Sequence, residues 1–348
     1  MFRRLHLLIA GLLAIPASAF AYGEADLRFE ERALHFQTDR VRVDPGATDV
    51  TFDTFEPVRP LVWNDELGDA ARFYADDMGE HGCFPADHSS CDGTSFQQRL
   101  NSFYSGSTYG ENIAKGQPSA EYAVFDSWLY STSGHRENML NPEWNEFGGG
   151  FALDGTTPIW VQDFGFGGVE EPIVTSGTHE PLLARENEEA MRFFAAVYDP
   201  DEVDPDMHLV VTNLCVPMDV DRGGSGMTTF VAEADAGPEG CMPYWFLAER
   251  DNGEAVSFPT EGSLVVPVGD VECPSWIPQR RTADCVPDGV SGFSGSGAGC
   301  SGGGGEDAYP DAVVGQDVEY GTCAQSPTSA PRMWWLGALL LGLGRRRR

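Results

Sequence analysis

The sequence predicts an α/β fold in which a layered α-β-α sandwich domain is followed by a small all-β sandwich. In residues 29–168, apolar residues first recur at helical spacing, and the period then changes to that of strands. From residue 191 onward, short apolar runs alternate with clusters of Pro, Gly and Asp, a pattern typical of a β-sandwich. Helices mixed with strands in the first segment favour a layered domain.

Three helices are predicted in the layered domain, each beginning at a residue type that caps helices well. Asn64 precedes the first helix, Ser119 the second, and Ser133 a shorter third helix that carries His135. Apolar residues at helical spacing indicate the inner faces of the first two helices. These are Leu67, Ala71, Tyr74 and Met78 in the first helix, and Val124, Phe125, Trp128 and Leu129 in the second.

Two strands follow the helices of the layered domain. Phe147–Leu153 and Ile159–Phe164 are apolar runs of strand length, and Asp154-Gly155 between them is a hairpin turn signal.

The second domain is predicted at residues 191–275, after a linker at 169–190 that is rich in charged and polar residues. Residues 276–323 contain so much Gly and Ser that we expect a flexible stalk. The strands predicted in the second domain are Phe193–Tyr198, Leu209–Leu214, Met227–Val231, Tyr244–Leu247 and Ser263–Val268.

Both ends of the chain have the composition of targeting segments. Residues 1–21 are predicted to be a secretory signal peptide, because Arg3 and Arg4 precede an apolar run that ends in small residues. Near the other end, an apolar run of about half the length of a membrane span precedes four arginines. Gly321–Arg348, which contains Cys323, resembles the MYXO-CTERM sorting tail. This resemblance implies that residues 324–348 are removed and that lipidated Cys323 holds the protein at the outer membrane or cell surface.

The chain is strongly acidic, with a formal net charge of −32. Removal of residues 1–21 and 324–348, which contain seven arginines and no acid, leaves 54 acids against 15 bases, or −39. Such a surface repels phosphate backbones, so we exclude nucleic acid as a partner.

Eight cysteines in an exported chain favour disulfides. Proximity in the sequence favours Cys83–Cys91, Cys215–Cys241 and Cys273–Cys285, and leaves Cys300 for Cys323 unless Cys323 is lipidated.

Several polar motifs follow one another through the layered domain in an order and spacing that resemble a CAP domain. This is the family of cysteine-rich secretory proteins, antigen 5 and pathogenesis-related proteins, and its bacterial branch is the most similar. The resemblance covers about 140 residues. The motifs are Pro60-Leu61-Val62-Trp63-Asn64, Gly82-Cys83-Phe84 with His88, Gly110-Glu111-Asn112-Ile113-Ala114, Ser133-Gly134-His135-Arg136-Glu137-Asn138-Met139-Leu140 and Trp160-Val161-Gln162-Asp163-Phe164-Gly165.

The CAP resemblance implies a cleft that contains His88, Glu111 and His135. The second acid of the animal and plant members is absent, because Ser131 stands near that position. The resemblance further implies an extracellular binding role toward a lipid, a sterol or a cell-wall component.

Two imidazoles and one carboxylate also match the ligand set of an open site for Zn²⁺ or another divalent cation. His135 near a helix start is expected to have a lowered pKa, which favours its neutral, metal-binding form. Alternatively, Glu111 serves as the general base of a metal-assisted hydrolase, or the cluster is a structural network. In the last case the protein is an adhesive surface protein with a vestigial cleft. We expect a binding module rather than an enzyme.

Overall fold

The structure is a computed structural model, and it describes residues 28–106, 108–168, 172–180, 190–280 and 283–287. The predicted signal peptide, most of the predicted stalk, including Cys300 and Cys323, and the predicted tail lie outside these residues. In the part of the chain that is described, no helix is long and apolar enough to cross a membrane.

The first domain contains helices on both sides of a four-stranded sheet. The strand order is β1-β3-β4-β2, with β1 parallel to β3 and the other pairs antiparallel. The helices are α1 (Phe29–Val43), α2 (Asp65–His81), α3 (Phe96–Phe103) and α4 (His135–Met139), with a π-helical segment at Tyr122–Leu129. The strands are β1 (Val62–Trp63), β2 (Thr108–Lys115), β3 (Glu146–Asp154) and β4 (Thr157–Phe166).

Three consecutive glycines in β3 let helices approach both faces of the sheet. A Cβ atom at Gly148 would overlap the backbone of Leu67 in α2, and one at Gly150 would overlap that of Ala71. Gly149 points to the other face, where a Cβ would lie 3.4 Å from the side chain of Leu34 in α1. Because successive strand residues alternate between faces, this run places α1 and α2 on opposite sides of the sheet. The predicted layered α/β domain is confirmed.

The predicted helices are confirmed in place, but their starts differ in part. Asn64 caps α2 and accepts a hydrogen bond from the Leu67 amide at 3.1 Å. Ser119 accepts from the Tyr122 amide at 3.4 Å, although the segment that follows is π-helical. The prediction for Ser133 is wrong, since Gly134 with φ of 101° precedes α4 and allows the tight turn into it.

The second domain is a sandwich of two sheets, ordered β5-β6-β10-β9 and β14-β13-β11-β7-β8, with β12 also paired to β11. All five predicted strands lie in or overlap observed ones. The strands are β5 (Val174–His179), β6 (Ala190–Tyr198), β7 (Asp206–Val211), β8 (Leu214–Pro217), β9 (Asp219–Gly224), β10 (Met227–Asp235), β11 (Gly240–Glu249), β12 (Ala255–Phe258), β13 (Ser263–Val268) and β14 (Trp276–Ile277).

Both boundaries predicted for this domain need correction. The segment predicted as a linker contains β5, which is buried along its whole length. Its sequence, Val-Thr-Ser-Gly-Thr-His, has too few apolar residues to indicate a buried strand. At the other end, β14 pairs with β13, so the first residues of the predicted stalk belong to the fold.

Three disulfides lie in the described residues, and two of them differ from the predicted pairing. Cys83–Cys91 is confirmed. Cys215 pairs with Cys285 and Cys241 with Cys273, where we predicted Cys215–Cys241 and Cys273–Cys285. Cys241 lies on β11 opposite Pro267 of β13, so it faces the chain that leaves β13. The pairing therefore follows strand order rather than distance along the chain.

Digestion of the unreduced protein is expected to release one peptide pair joined through Cys215 and Cys285 and another joined through Cys241 and Cys273. Mass spectrometry before and after reduction checks this result, with the Cys83–Cys91 pair as an internal control. Recovery of a peptide that joins Cys215 to Cys241 would contradict the observed strand order.

Helix α1 contacts both domains. Phe36 stacks on Phe194 of β6, with ring centroids 5.1 Å apart. The Arg40 guanidinium donates two hydrogen bonds to Asp221 of β9, at 2.7 and 2.9 Å. On its opposite side, α1 packs against β3, so its polar residues are enclosed between the two sheets.

Candidate functional site

Glu111 lies in the middle of β2, and its side chain is buried. Its Oε1 atom is 2.7 Å from Nδ1 of His88, and its Oε2 atom accepts a hydrogen bond from Nη2 of Arg99 at 2.6 Å. Each carboxylate oxygen therefore already has a partner of its own. Glu111 orients other side chains and is not a free ligand.

His88 is held in place by the loop that the Cys83–Cys91 disulfide closes. Its backbone has a φ of 60°, which is uncommon for a residue with a side chain. Its carbonyl accepts a hydrogen bond from Arg99 at 2.9 Å, and its side chain is one-quarter exposed. An ionised carboxylate only accepts hydrogen bonds, so Nδ1 of His88 donates to Glu111, and in the neutral ring Nε2 is the nitrogen that has the lone pair.

Arg99 of α3 is a site residue that the sequence analysis missed. Besides Glu111 and the His88 carbonyl, its guanidinium contacts Ser90 Oγ at 3.2 Å and stacks 3.5 Å from the ring of Tyr74. The available signal was indirect: a buried carboxylate in the Glu111 motif requires a cation nearby.

Asp163 is a second buried acid beside Glu111. The two residues are direct cross-strand partners in β2 and β4. Burial, and next the negative charge of Glu111, raise the pKa of Asp163 well above its ordinary value, while Arg99 opposes the shift. Asp163 lies within the Trp160–Gly165 motif, and nothing in the sequence around it indicated this role.

His135 is the first residue of α4. Its Nδ1 lies 3.0 Å from Ser131 Oγ, and its carbonyl accepts from the Asn112 amide at 3.1 Å. The predicted lowering of the His135 pKa is confirmed, but its cause differs. Burial contributes most, then the charge of His88, and Glu137 opposes both.

The structure brings His88 and Glu111 into contact, while the described side-chain bond of His135 is to Ser131. Ser131, at the position of the missing acid, therefore orients one imidazole as Glu111 orients the other.

A polar cavity of about 370 Å³ opens beside His88 and Glu111. Phe96 forms one wall, and His135 is not in the lining. The remaining lining residues are Asp87, Ser89, Gly93, Ser95 and Gln97. A larger cavity of about 730 Å³ lies elsewhere, between Trp63, Tyr104 and Phe166, and contains no histidine.

One group of three ligand-type side chains has its donor atoms within 4.8 Å of one another in the described chain: Asp77, His81 and Cys91. Cys91 is in a disulfide, so it offers no thiolate to a metal ion.

Part of this chain matches a known protein family. Residues 56–164 match the cysteine-rich secretory protein family, CAP. YkwD, an uncharacterized protein of Bacillus subtilis strain 168, is 38% identical over 108 residues, which are 31% of this chain and 40% of the relative. The chain thus spans two fifths of the length of this curated relative.

Two solved structures are similar over comparable parts of the chain. An outer surface protein of Borrelia burgdorferi is 24% identical over 38% of this chain and 89% of its own, with a TM-score of 0.31. An extracellular protein containing an SCP domain, from Bacillus anthracis strain Ames, is 25% identical over 39% of this chain and 41% of its own, also with a TM-score of 0.31. The sequence match, together with the layered fold in which it lies, identifies a CAP domain at residues 56–164 of this chain.

Proposed function

We propose that this is an exported, surface-anchored binding protein whose CAP domain binds a divalent cation, Zn²⁺ first of all, through His88 and His135. The observation that carries the proposal is the bond between His88 Nδ1 and the buried Glu111 carboxylate. Metal-binding histidines commonly donate their second ring N–H to a carboxylate, which fixes the tautomer and the ring orientation. Glu111 thereby supports a ligand and is not one itself.

The lowered pKa of His135 supports the same proposal. Zn²⁺ binds neutral imidazole, and burial is the largest cause of the lowered pKa of His135. His135 therefore stays neutral to a lower pH than an ordinary histidine. When bound, the cation supplies a Lewis-acid position, and the residues of this chain hold and orient it.

The cavity beside His88 favours a polar ligand over a sterol, because carboxylate, hydroxyl and amide groups line it with a single aromatic wall. A cell-wall fragment fits this chemistry better than a lipid. We do not propose hydrolysis with Glu111 as the base, since both of its oxygens are engaged. Anchoring through Cys323 remains part of the proposal.

Calorimetry with Zn²⁺ on the intact protein is expected to show one site. His88→Ala and His135→Ala should each abolish the heat of binding, and Glu111→Gln should weaken binding about 10–100-fold through loss of the oriented tautomer. His81→Ala is the matched control, because His81 is exposed at the end of α2 and should leave binding unchanged. Equal loss in all three histidine variants, or no heat for the unmutated protein, would contradict the proposal.

A further inference from the structure

Two buried carboxyl groups lie opposite each other on β2 and β4, and one guanidinium bonds to one of them. Glu111 and Asp163 are opposite residues in the antiparallel register, so their side chains lie on the same face of the sheet. Arg99 donates a hydrogen bond to Glu111, and its charge also acts on Asp163. Two carboxylate charges would therefore share one full counter-charge in a buried site.

Glu111 has hydrogen-bond donors around it, whereas Asp163 has none among the described residues. Glu111 receives Arg99 on one oxygen and faces His88 with the other. Both oxygens of Asp163 are buried, and neither meets a donor among the described residues. An ionised carboxylate without donors in such a position is strongly disfavoured, whereas a protonated one can donate to Glu111.

The neighbouring elements offer Asp163 no other titratable partner among the residues that the structure describes. On α2, the Tyr74 hydroxyl donates to the Ser89 carbonyl at 3.1 Å. On β3, the residue opposite Asp163 is Gly148, which has no side chain. Arg99 on α3 and the His88 loop are already bonded to Glu111.

We propose that Asp163 is protonated at neutral pH and that its carboxyl O–H donates a hydrogen bond to Glu111. This bond makes Asp163 a positioning residue for the site. The hydrogen bond fixes the rotation of the Glu111 carboxylate and leaves that group ionised toward His88 and Arg99. This arrangement concerns a proton of the protein itself, so it holds whether or not the cleft binds Zn²⁺.

Infrared spectroscopy of the intact protein at pH 7 tests the proposal directly. The difference spectrum between the unmutated protein and Asp163→Asn should contain the carbonyl stretch of one protonated carboxylic acid. Asp126→Asn is the matched control, because Asp126 is exposed in the same domain and its difference spectrum should contain no such band. A difference spectrum for Asp163→Asn that contains only ionised carboxylate bands would overturn the proposal.

The pH dependence of stability gives a second, independent test. An acid with a raised pKa binds a proton in the folded state that the unfolded chain has released, so its contribution to stability falls as pH rises. Asp163→Asn cannot release that proton, so its stability relative to the unmutated protein should rise between about pH 5 and pH 7, with a slope equivalent to about one proton. A difference in stability that is independent of pH would contradict protonation of Asp163. If the variant does not fold, carboxyl ¹³C NMR of the unmutated protein must find Asp163 protonated at pH 7.

Discussion

Replacement of Arg99 by methionine is expected to destabilise the protein by about 3–5 kcal/mol. Methionine keeps much of the packing against Tyr74 but removes the charge that balances Glu111. Glu111 would remain buried beside Asp163 with no cation on Oε2, and the His88 carbonyl and Ser90 would lose a donor. Urea unfolding followed by circular dichroism measures the loss.

Two companion variants make the cause of this loss specific. Arg28→Met removes an arginine that is half exposed and lies 4.0 Å from Glu31, so it should cost less than about 1 kcal/mol. In Arg99→Met combined with Glu111→Gln, the uncompensated charge is gone, so the double variant should be more stable than Arg99→Met alone. A double variant in which the two losses simply add would show that Arg99 acts through packing and not through charge.

Asp39→Ala is expected to cost about 3 kcal/mol and to weaken both domains together. Asp39 of α1 is fully buried and accepts hydrogen bonds from the Leu61 amide at 2.8 Å and from Ser176 Oγ at 2.7 Å. Leu61 belongs to the first domain and Ser176 to β5 of the second. The substitution leaves buried donors without an acceptor on each side of α1.

Denaturation of Asp39→Ala is followed by tryptophan fluorescence and by circular dichroism. We expect a single transition, shifted by the same amount in both measurements. Asp49→Ala is the control, since Asp49 is only partly buried and accepts hydrogen bonds from the Thr51 amide of a short 3₁₀ turn and from the Tyr130 hydroxyl; its cost should be about 1 kcal/mol or less. Two separated transitions in the unmutated protein would contradict the role of α1 as the element that joins the domains.

Helix α1 shows why part of the fold could not be predicted from sequence. Its buried residues include Glu31, Arg32, His35, Asp39 and Arg42. An amphipathic pattern predicts a helix only when apolar residues form the buried face. Here polar side chains are buried because two sheets enclose the helix and supply their partners, so the periodicity of the sequence gave no sign of this face.

The sequence indicated candidate residues for the site but not the interactions that hold them. The motifs around His88, Glu111 and His135 singled out three side chains in short segments, and the structure brings two of them, His88 and Glu111, into contact. Arg99 and Asp163 were missed because their roles depend on pairing across α3, β2 and β4. The same holds for Cys215 and Cys285, which are separated by 70 residues and meet only after the second sheet has formed.

The sequence alone determined the α2 helix, the β3–β4 hairpin and the layered fold, because local propensity and short-range periodicity specify them. Its motifs also singled out His88, Glu111 and His135. The tertiary structure decided which oxygens of Glu111 are occupied, where Asp163 lies and how the cysteines pair. Hydrogen bonding and burial act between residues that are distant in the chain, and only the folded arrangement brings their atoms within reach of one another.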